Sequence, residues 1–202
     1  LEFRRVLFRS LNIKTEGFSK FAPTAHYFRY EATPYIVLEQ LIKHLPFKKV
    51  DRFVDFGCGK GRTLFYIHYR LKIATVGIEM DTVLFRHLTA NCERYFRKHQ
   101  GDDHEIILYH GFAEEYPIDS RETIFYFFNP FSVQIFRQVV NNILRSYSKK
   151  RREITLVLYY PSQDYIDFLE RETPFRLDND IPVDPLFQNN ENERLLIYRL
   201  SE

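Results

Sequence analysis

The sequence has no tryptophan, one methionine and two cysteines among its 202 residues. Cys58 and Cys92 are too few for the disulfide framework of a small secreted domain, and no secretory apolar segment is visible. The expected setting is therefore the reducing cytoplasm. No apolar run approaches the roughly 18 residues of a membrane span, so no membrane partner is expected. The histidines at 26, 44, 68, 87, 99, 104 and 110 show no zinc-ligand spacing with each other or with the cysteines, and no metal site is expected. Net charge is also lacking. Residues Leu1 to Ser10 resemble the in-frame translation of a sequencing-library adapter and are set aside as a non-native scar, which implies that native N-terminal sequence is missing. In that segment Arg4, Arg5 and Arg9 outnumber Glu2 by two, which accounts for the whole formal charge of +2. The remainder is balanced and gives no strong nucleic-acid signal.

Aromatic residues are plentiful: 20 Phe and 14 Tyr, or 17% of the chain, within a hydrophobic share of 45%. That share excludes a disordered chain, and the length suits one domain with a sizeable core. No internal repeat or linker is apparent. The reading divides the chain into the scar (1–10), an aromatic and polar N-terminal segment (11–33) and one folded domain (34–202).

Apolar patterning alternates between periods of two and 3.6. A helix begins at Pro34, with Ile36, Leu38, Leu41, Ile42 and Leu45 as its stripe. Strands are expected at 52–56, 73–78, 105–109, 123–128, 154–160 and 195–200, with helices at 62–71, after Asp81, along Phe136 to Tyr147 and around 165–171. Asp81 suits an N-cap. Between 174 and 193 the signals are weak: Pro174, Pro182, Pro185 and a polar turn. The alternation predicts an α/β fold, a doubly wound, Rossmann-like sheet, mostly parallel, with helices on both faces and one antiparallel strand near the C-terminus.

Between the first strand and the following helix lies Asp55-Phe56-Gly57-Cys58-Gly59-Lys60-Gly61. Glycines there permit a tight turn and close backbone approach to a ligand, and the helix N-terminus behind them favours an anionic group. Glu79 ends the second strand, about 20 residues after Gly57, where dinucleotide folds place the acid that binds ribose hydroxyls. Asp55 and the three glycines with Glu79 are thus the candidate cofactor site.

The Asp-x-Gly-x-Gly-x-Gly pattern, together with Tyr30-Glu31-Ala32-Thr33-Pro34-Tyr35, Gly77-Ile78-Glu79 and Phe127-Phe128-Asn129-Pro130-Phe131, resembles class I S-adenosylmethionine-dependent methyltransferases, in particular a group of small bacterial members. The resemblance covers nearly all of residues 30–200. It implies a seven-stranded sheet and S-adenosyl-L-methionine as cofactor. It also implies that Asp55, the Gly57–Gly61 loop and Thr33 surround the cofactor's amino-acid portion, that Glu79 binds both ribose hydroxyls, and that Met80 lies against adenine. A cap on the Pro34 helix is a second role for Thr33. After the third strand these enzymes carry an adenine-contacting Asp, where this chain has Phe in Gly111-Phe112-Ala113-Glu114-Glu115. Phe112 is then placed to stack on adenine, Ala113 beside it, with Glu114 as a polar contact.

Asn129-Pro130-Phe131 resembles a shortened form of the Asn/Asp-Pro-Pro-Tyr/Phe motif of methyltransferases acting on planar amino groups, which makes Asn129 the candidate for contact with cofactor or acceptor. The aromatic candidates around a sulfonium or amine are Tyr27, Phe28, Tyr30, Phe131, Tyr159 and Tyr160. The acceptor is open among protein, small molecule and RNA; a distant resemblance to non-SET protein-lysine methyltransferases puts protein lysine or another amine first. The basic run Lys149 to Arg152 reads as a solvated helix end. Two other readings stand beside this one. A nicotinamide oxidoreductase would need Gly-x-Gly-x-x-Gly, whereas position 62 is Arg. A non-catalytic module that binds S-adenosylmethionine would suit Phe112 in place of Asp.

Overall fold

The computed structural model describes residues 11–16, 26–100 and 105–200. The scar and most of the Phe18 to Tyr30 stretch lie outside the described residues. In chain order the elements are α1 (Tyr35–His44), β1 (Arg52–Phe56), α2 (Arg62–Leu71), β2 (Ala74–Glu79), α3 (Thr82–Lys98), β3 (Ile106–His110), a short 3₁₀ turn (Ala113–Glu115), β4 (Ile124–Phe127), α4 (Val133–Lys149), β5 (Ile154–Tyr159), α5 (Gln163–Glu172), β6 (Arg176–Pro182) and β7 (Arg194–Leu200).

The seven strands form one sheet in the order β3-β2-β1-β4-β5-β7-β6. Strands β1 to β5 pair in parallel, and β7 runs antiparallel to both β5 and β6. Crossover helices cover both faces, so the central strands read as continuous apolar runs; β1, β4 and β5 are buried at every position. On one face Leu38, Leu64, Phe65, Leu88 and Tyr95 of α1 to α3 pack on Phe53, Tyr126 and Val157. On the other, Phe136, Val140 and Ile143 of α4 and Phe168 of α5 pack on Val54, Phe125 and Leu156.

Most expected boundaries agree to within a residue, and Asp81 does cap α3, its Oδ1 accepting from the Val83 and Leu84 amides at 2.8 and 2.7 Å. Two features differ. β6, unmarked by the sequence pattern, is exposed along most of its length and holds its place by pairing with β7. Thr33 does not cap α1: that helix has Pro34 at the N-cap and no side-chain cap bond, while the Thr33 hydroxyl turns inward. Leu11, Ile13 and Thr15, in the segment ahead of the helix, are buried, the first two in the core of the α1 to α3 face.

The order of strand addition reverses between β1 and β4, since β1 continues to β2 on one side and β4 continues to β5 on the other. In an open parallel sheet the ligand crevice lies at such a switch point, beyond the carboxyl ends of the strands. Asp55, Glu79 and the Asn129 turn all stand at these ends.

Candidate functional site

At the end of β1 the chain turns through Gly57, Gly59 and Gly61, all with positive φ, at 77°, 56° and 85°. The Gly57 and Cys58 amides both donate to the Ile78 carbonyl at 3.0 Å, tying the turn to β2. Each glycine is also crowded. A Cβ on Gly57 would lie 2.7 Å from Pro130 Cβ, and one on Gly59 would lie 1.9 Å from the Tyr30 ring. Gly61 precedes α2 in the left-handed conformation and sits beneath Leu88 and Phe65.

Glu79 reaches back across this turn. Its Oε2 accepts from the Gly59 amide at 2.9 Å and its Oε1 from the Asp81 amide at 2.8 Å. Asp55, one strand over and in register with Gly77, is 4% exposed. Burial, then the neighbouring Glu79 charge, pushes the Asp55 carboxyl up to about 8, against a lowering hydrogen bond from Thr63. Burial likewise pushes Glu79 up to about 7, with the backbone amides of Asp81 and Gly59 opposing it. Beside Asp55, Thr33 Oγ1 lies 2.9 Å from the Tyr126 hydroxyl and accepts from Thr63 Oγ1 at 3.4 Å. Two buried carboxyls facing one cleft beside a chain of hydroxyls make a place suited to a cationic, hydrogen-bonding ligand.

The cleft itself has a cavity volume of about 80 Å³. Asp55, Gly57, Glu79, Met80, Thr33 and Ala113 all line it. Gly59 and Gly61 shape its turn without facing it. Its roof is the strap at 26–33. The Ser132 amide donates to the His26 carbonyl at 2.8 Å, and the Phe28 amide to the Pro130 carbonyl at 3.1 Å. Arg62 holds the other end: Nη1 donates to the Ala32 and Thr33 carbonyls at 3.3 and 3.1 Å, and Nε to Thr15 Oγ1 at 2.9 Å. Tyr30 completes the roof, its hydroxyl donating to the Thr15 carbonyl at 2.9 Å.

Other expected residues stand elsewhere. Phe112 is 44% exposed and its ring leans on Tyr27 at 6.1 Å, outside the lining of the cleft. Glu114 accepts the Tyr27 hydroxyl at 2.7 Å, so its carboxylate is engaged with the strap. Asn129 lines an adjoining pocket instead, with φ 39° and a buried Oδ1 that has no hydrogen-bond partner among the described residues. Phe131 is 1% exposed, its ring near-perpendicular to those of Tyr27 and Phe127, which leaves little of it open to a planar group. In the basic run, Arg151 donates to the Tyr147 hydroxyl and Arg152 to the Glu122 carbonyl and Ser146, so both guanidinium groups serve the end of α4.

The sequence reading passed over Thr63, Tyr126 and Arg62. Thr63 and Tyr126 lie inside a helix and a buried strand, where a hydroxyl reads as tolerated core. Arg62 had a signal: it follows Gly61 directly, where a dinucleotide turn would continue.

Neither a protein-family model nor a curated protein matches the sequence. Solved structures do. A human methyltransferase 10 domain containing protein superposes with a TM-score of 0.61 at 14% identity, over 98% of this chain and 93% of that one. The glycopeptide N-methyltransferase MtfA complexed with S-adenosyl-L-methionine gives 0.60 at 10% identity, over 82% and 92%. An RNA methyltransferase from Salinibacter ruber in complex with S-adenosyl-L-homocysteine gives 0.54 at 18% identity, over 84% and 92%. The chain has the Rossmann-like fold of class I methyltransferases.

Proposed function

We propose that the protein is an S-adenosyl-L-methionine-dependent methyltransferase with an amine, a protein lysine first, as its acceptor. The observation that carries this is the pairing of Asp55 and Glu79 at the ends of adjacent strands, both buried, facing one cleft under a glycine turn. Glu79 would take the ribose hydroxyls on the lone pairs its backbone donors leave unused. Asp55, with Thr33 close by, would take the cationic amino group, which supplies the charge partner that its raised carboxyl lacks. Met80 and Ala113 would flank the base, and Gly57 gives the backbone room to approach.

When bound, the cofactor would supply a methyl group on a sulfonium, which passes to the acceptor's lone pair by in-line displacement as the S–CH3 bond breaks and a thioether that needs no proton leaves. The chain's own work is to orient and to exclude water. The strap over the cleft does the second, and the Arg62 clamp holds it there.

A non-catalytic S-adenosylmethionine-binding module is the second reading, favoured by the displaced Phe112 and the engaged Glu114. A nicotinamide enzyme is a third and is disfavoured by Arg62 at the third glycine's place. Calorimetric titration with S-adenosylmethionine, S-adenosylhomocysteine and NAD tests the proposal. Micromolar binding of the first two, weakened about 10- to 100-fold in Glu79→Ala by loss of charge-assisted hydrogen bonds, is the expected result. Binding of NAD alone contradicts it.

A further inference from the structure

Next to the candidate cofactor cleft, and sharing Phe28, Arg29, Glu31 and Phe128 with it, lies a second pocket of about 490 Å³. Its floor is formed by the C-terminal ends of β4 and β5, where Phe128 and Tyr159 lie 4.5 Å apart between ring centroids and Tyr160 stands 6.4 Å from Phe128. Asn129 and Tyr160 line it with φ of 39° and 53°. Non-glycine residues held in that region are strained and cluster at functional sites. Tyr160 is fixed by Asn190, whose Nδ2 donates to its hydroxyl at 2.8 Å. Asn129 Oδ1 is buried here and accepts no hydrogen bond among the described residues, which is unfavourable unless an N–H donor arrives.

Charge narrows the class of that donor. Glu31 and Glu193 border the pocket against the single cation Arg29. Glu193 also accepts the Tyr159 hydroxyl, so its position is fixed. A protonated or partly protonated alkylamine meets all of these features at once. It presents N–H groups to Asn129 Oδ1, positive charge to the carboxylates, and methylenes and charge to the aromatic faces. A nucleic acid brings phosphates, which the two carboxylates repel. A planar amine would want an open ring face beside Asn129, and Phe131 is buried with its ring near-perpendicular to that of Phe127.

Resting on the methyltransferase reading, we infer that this pocket is the acceptor site and that it selects an alkylamine, from a lysine side chain or a free polyamine, which binds as the ammonium ion and passes one proton to the Glu193 carboxylate before its lone pair takes the methyl group. Asn129, Tyr160 and Glu193 determine that specificity by touching the amine end of the acceptor.

The test uses ligand-observed magnetic resonance and calorimetry on the whole chain, with and without saturating S-adenosylhomocysteine. The probes are spermidine, an N-acetylated peptide with one lysine, and adenosine monophosphate. Asn129→Gly keeps the positive φ while removing Oδ1, and Glu193→Gln keeps an acceptor for Tyr159 while removing the charge. The expected result is binding of spermidine or the lysine peptide, weakened about fivefold or more in each variant, with S-adenosylhomocysteine affinity unchanged within about twofold. Whichever of the two amines binds more tightly identifies the source. Binding of adenosine monophosphate in their place, amine binding indifferent to both variants, or no amine binding would overturn the inference. Failure of S-adenosylhomocysteine to bind would overturn the cofactor reading instead, because amine binding is read separately in its absence.

Discussion

Asp55 and Glu79 face each other across the ends of two neighbouring strands, and their burial has a consequence in pH. Both carboxyls stand higher in the folded chain, about 8 and about 7, than their ordinary 3.8 and 4.5. The folded state therefore holds protons that the unfolded chain releases. Their stabilising contribution is whole below the ordinary values and is lost as pH rises through about 7 to 8. The melting temperature of the ligand-free protein should accordingly fall over that span, and Glu79→Gln should flatten the fall; equal pH dependence of variant and parent would refute the assignment. These two acids were legible in the sequence because each stands at a strand end with a fixed relation to the glycine turn. Thr63 and Tyr126 were not, because a hydroxyl inside an apolar periodicity carries no sign of which neighbour it will meet. For Phe112 the resemblance implied a place on adenine, and the ring lies against Tyr27 outside the lining of the cleft.

The strap, the glycine turn and α2 form one mechanical unit at the level of elements. Arg62 joins it through bonds to Thr15, Ala32 and Thr33 and through its guanidinium 5.0 Å from the Tyr35 ring. Arg62→Ala should lower stability in urea by about 1–3 kcal/mol and weaken cofactor affinity, since the roof loses its tie. Gly59→Ala should cost about 1–2 kcal/mol for the left-handed backbone alone, and more because its Cβ must displace Tyr30 from the turn. An unchanged urea midpoint in either variant would show that the strap is not held as described. The core elements were legible through their continuous apolar strands and the 3.6-residue stripes between them. β6 was not. Its exposed residues carry no alternation, and it exists as a strand only because β7 supplies the hydrogen-bond ladder. Tertiary pairing of that kind leaves no local trace.

For the whole molecule, binding of the proposed cofactor should stabilise the folded chain by mass action. S-adenosylhomocysteine at about 100 times its dissociation constant should add about 2.7 kcal/mol, or about 5–10 °C in melting temperature for a domain of this size. NAD at the same concentration should add nothing, and an equal shift from NAD would count against the reading. The architecture around the cleft was readable from strand–helix alternation, and of the adjoining pocket Phe28, Asn129, Tyr159 and Tyr160 were named as candidates, whereas Glu31 and Glu193 were not, because only the fold brings them to the ends of β4 and β5.

The central claim is that Asp55 and Glu79 hold the two ends of S-adenosylmethionine's polar framework in one cleft. A crystal structure of the protein grown with S-adenosylhomocysteine tests it most directly. The account predicts both ribose hydroxyls within hydrogen-bond distance of Glu79, the amino group beside Asp55 and Thr33, and the base between Met80 and Ala113. Density for the ligand outside this cleft, or within it with Glu79 still bonded only to the Gly59 and Asp81 amides, would contradict it.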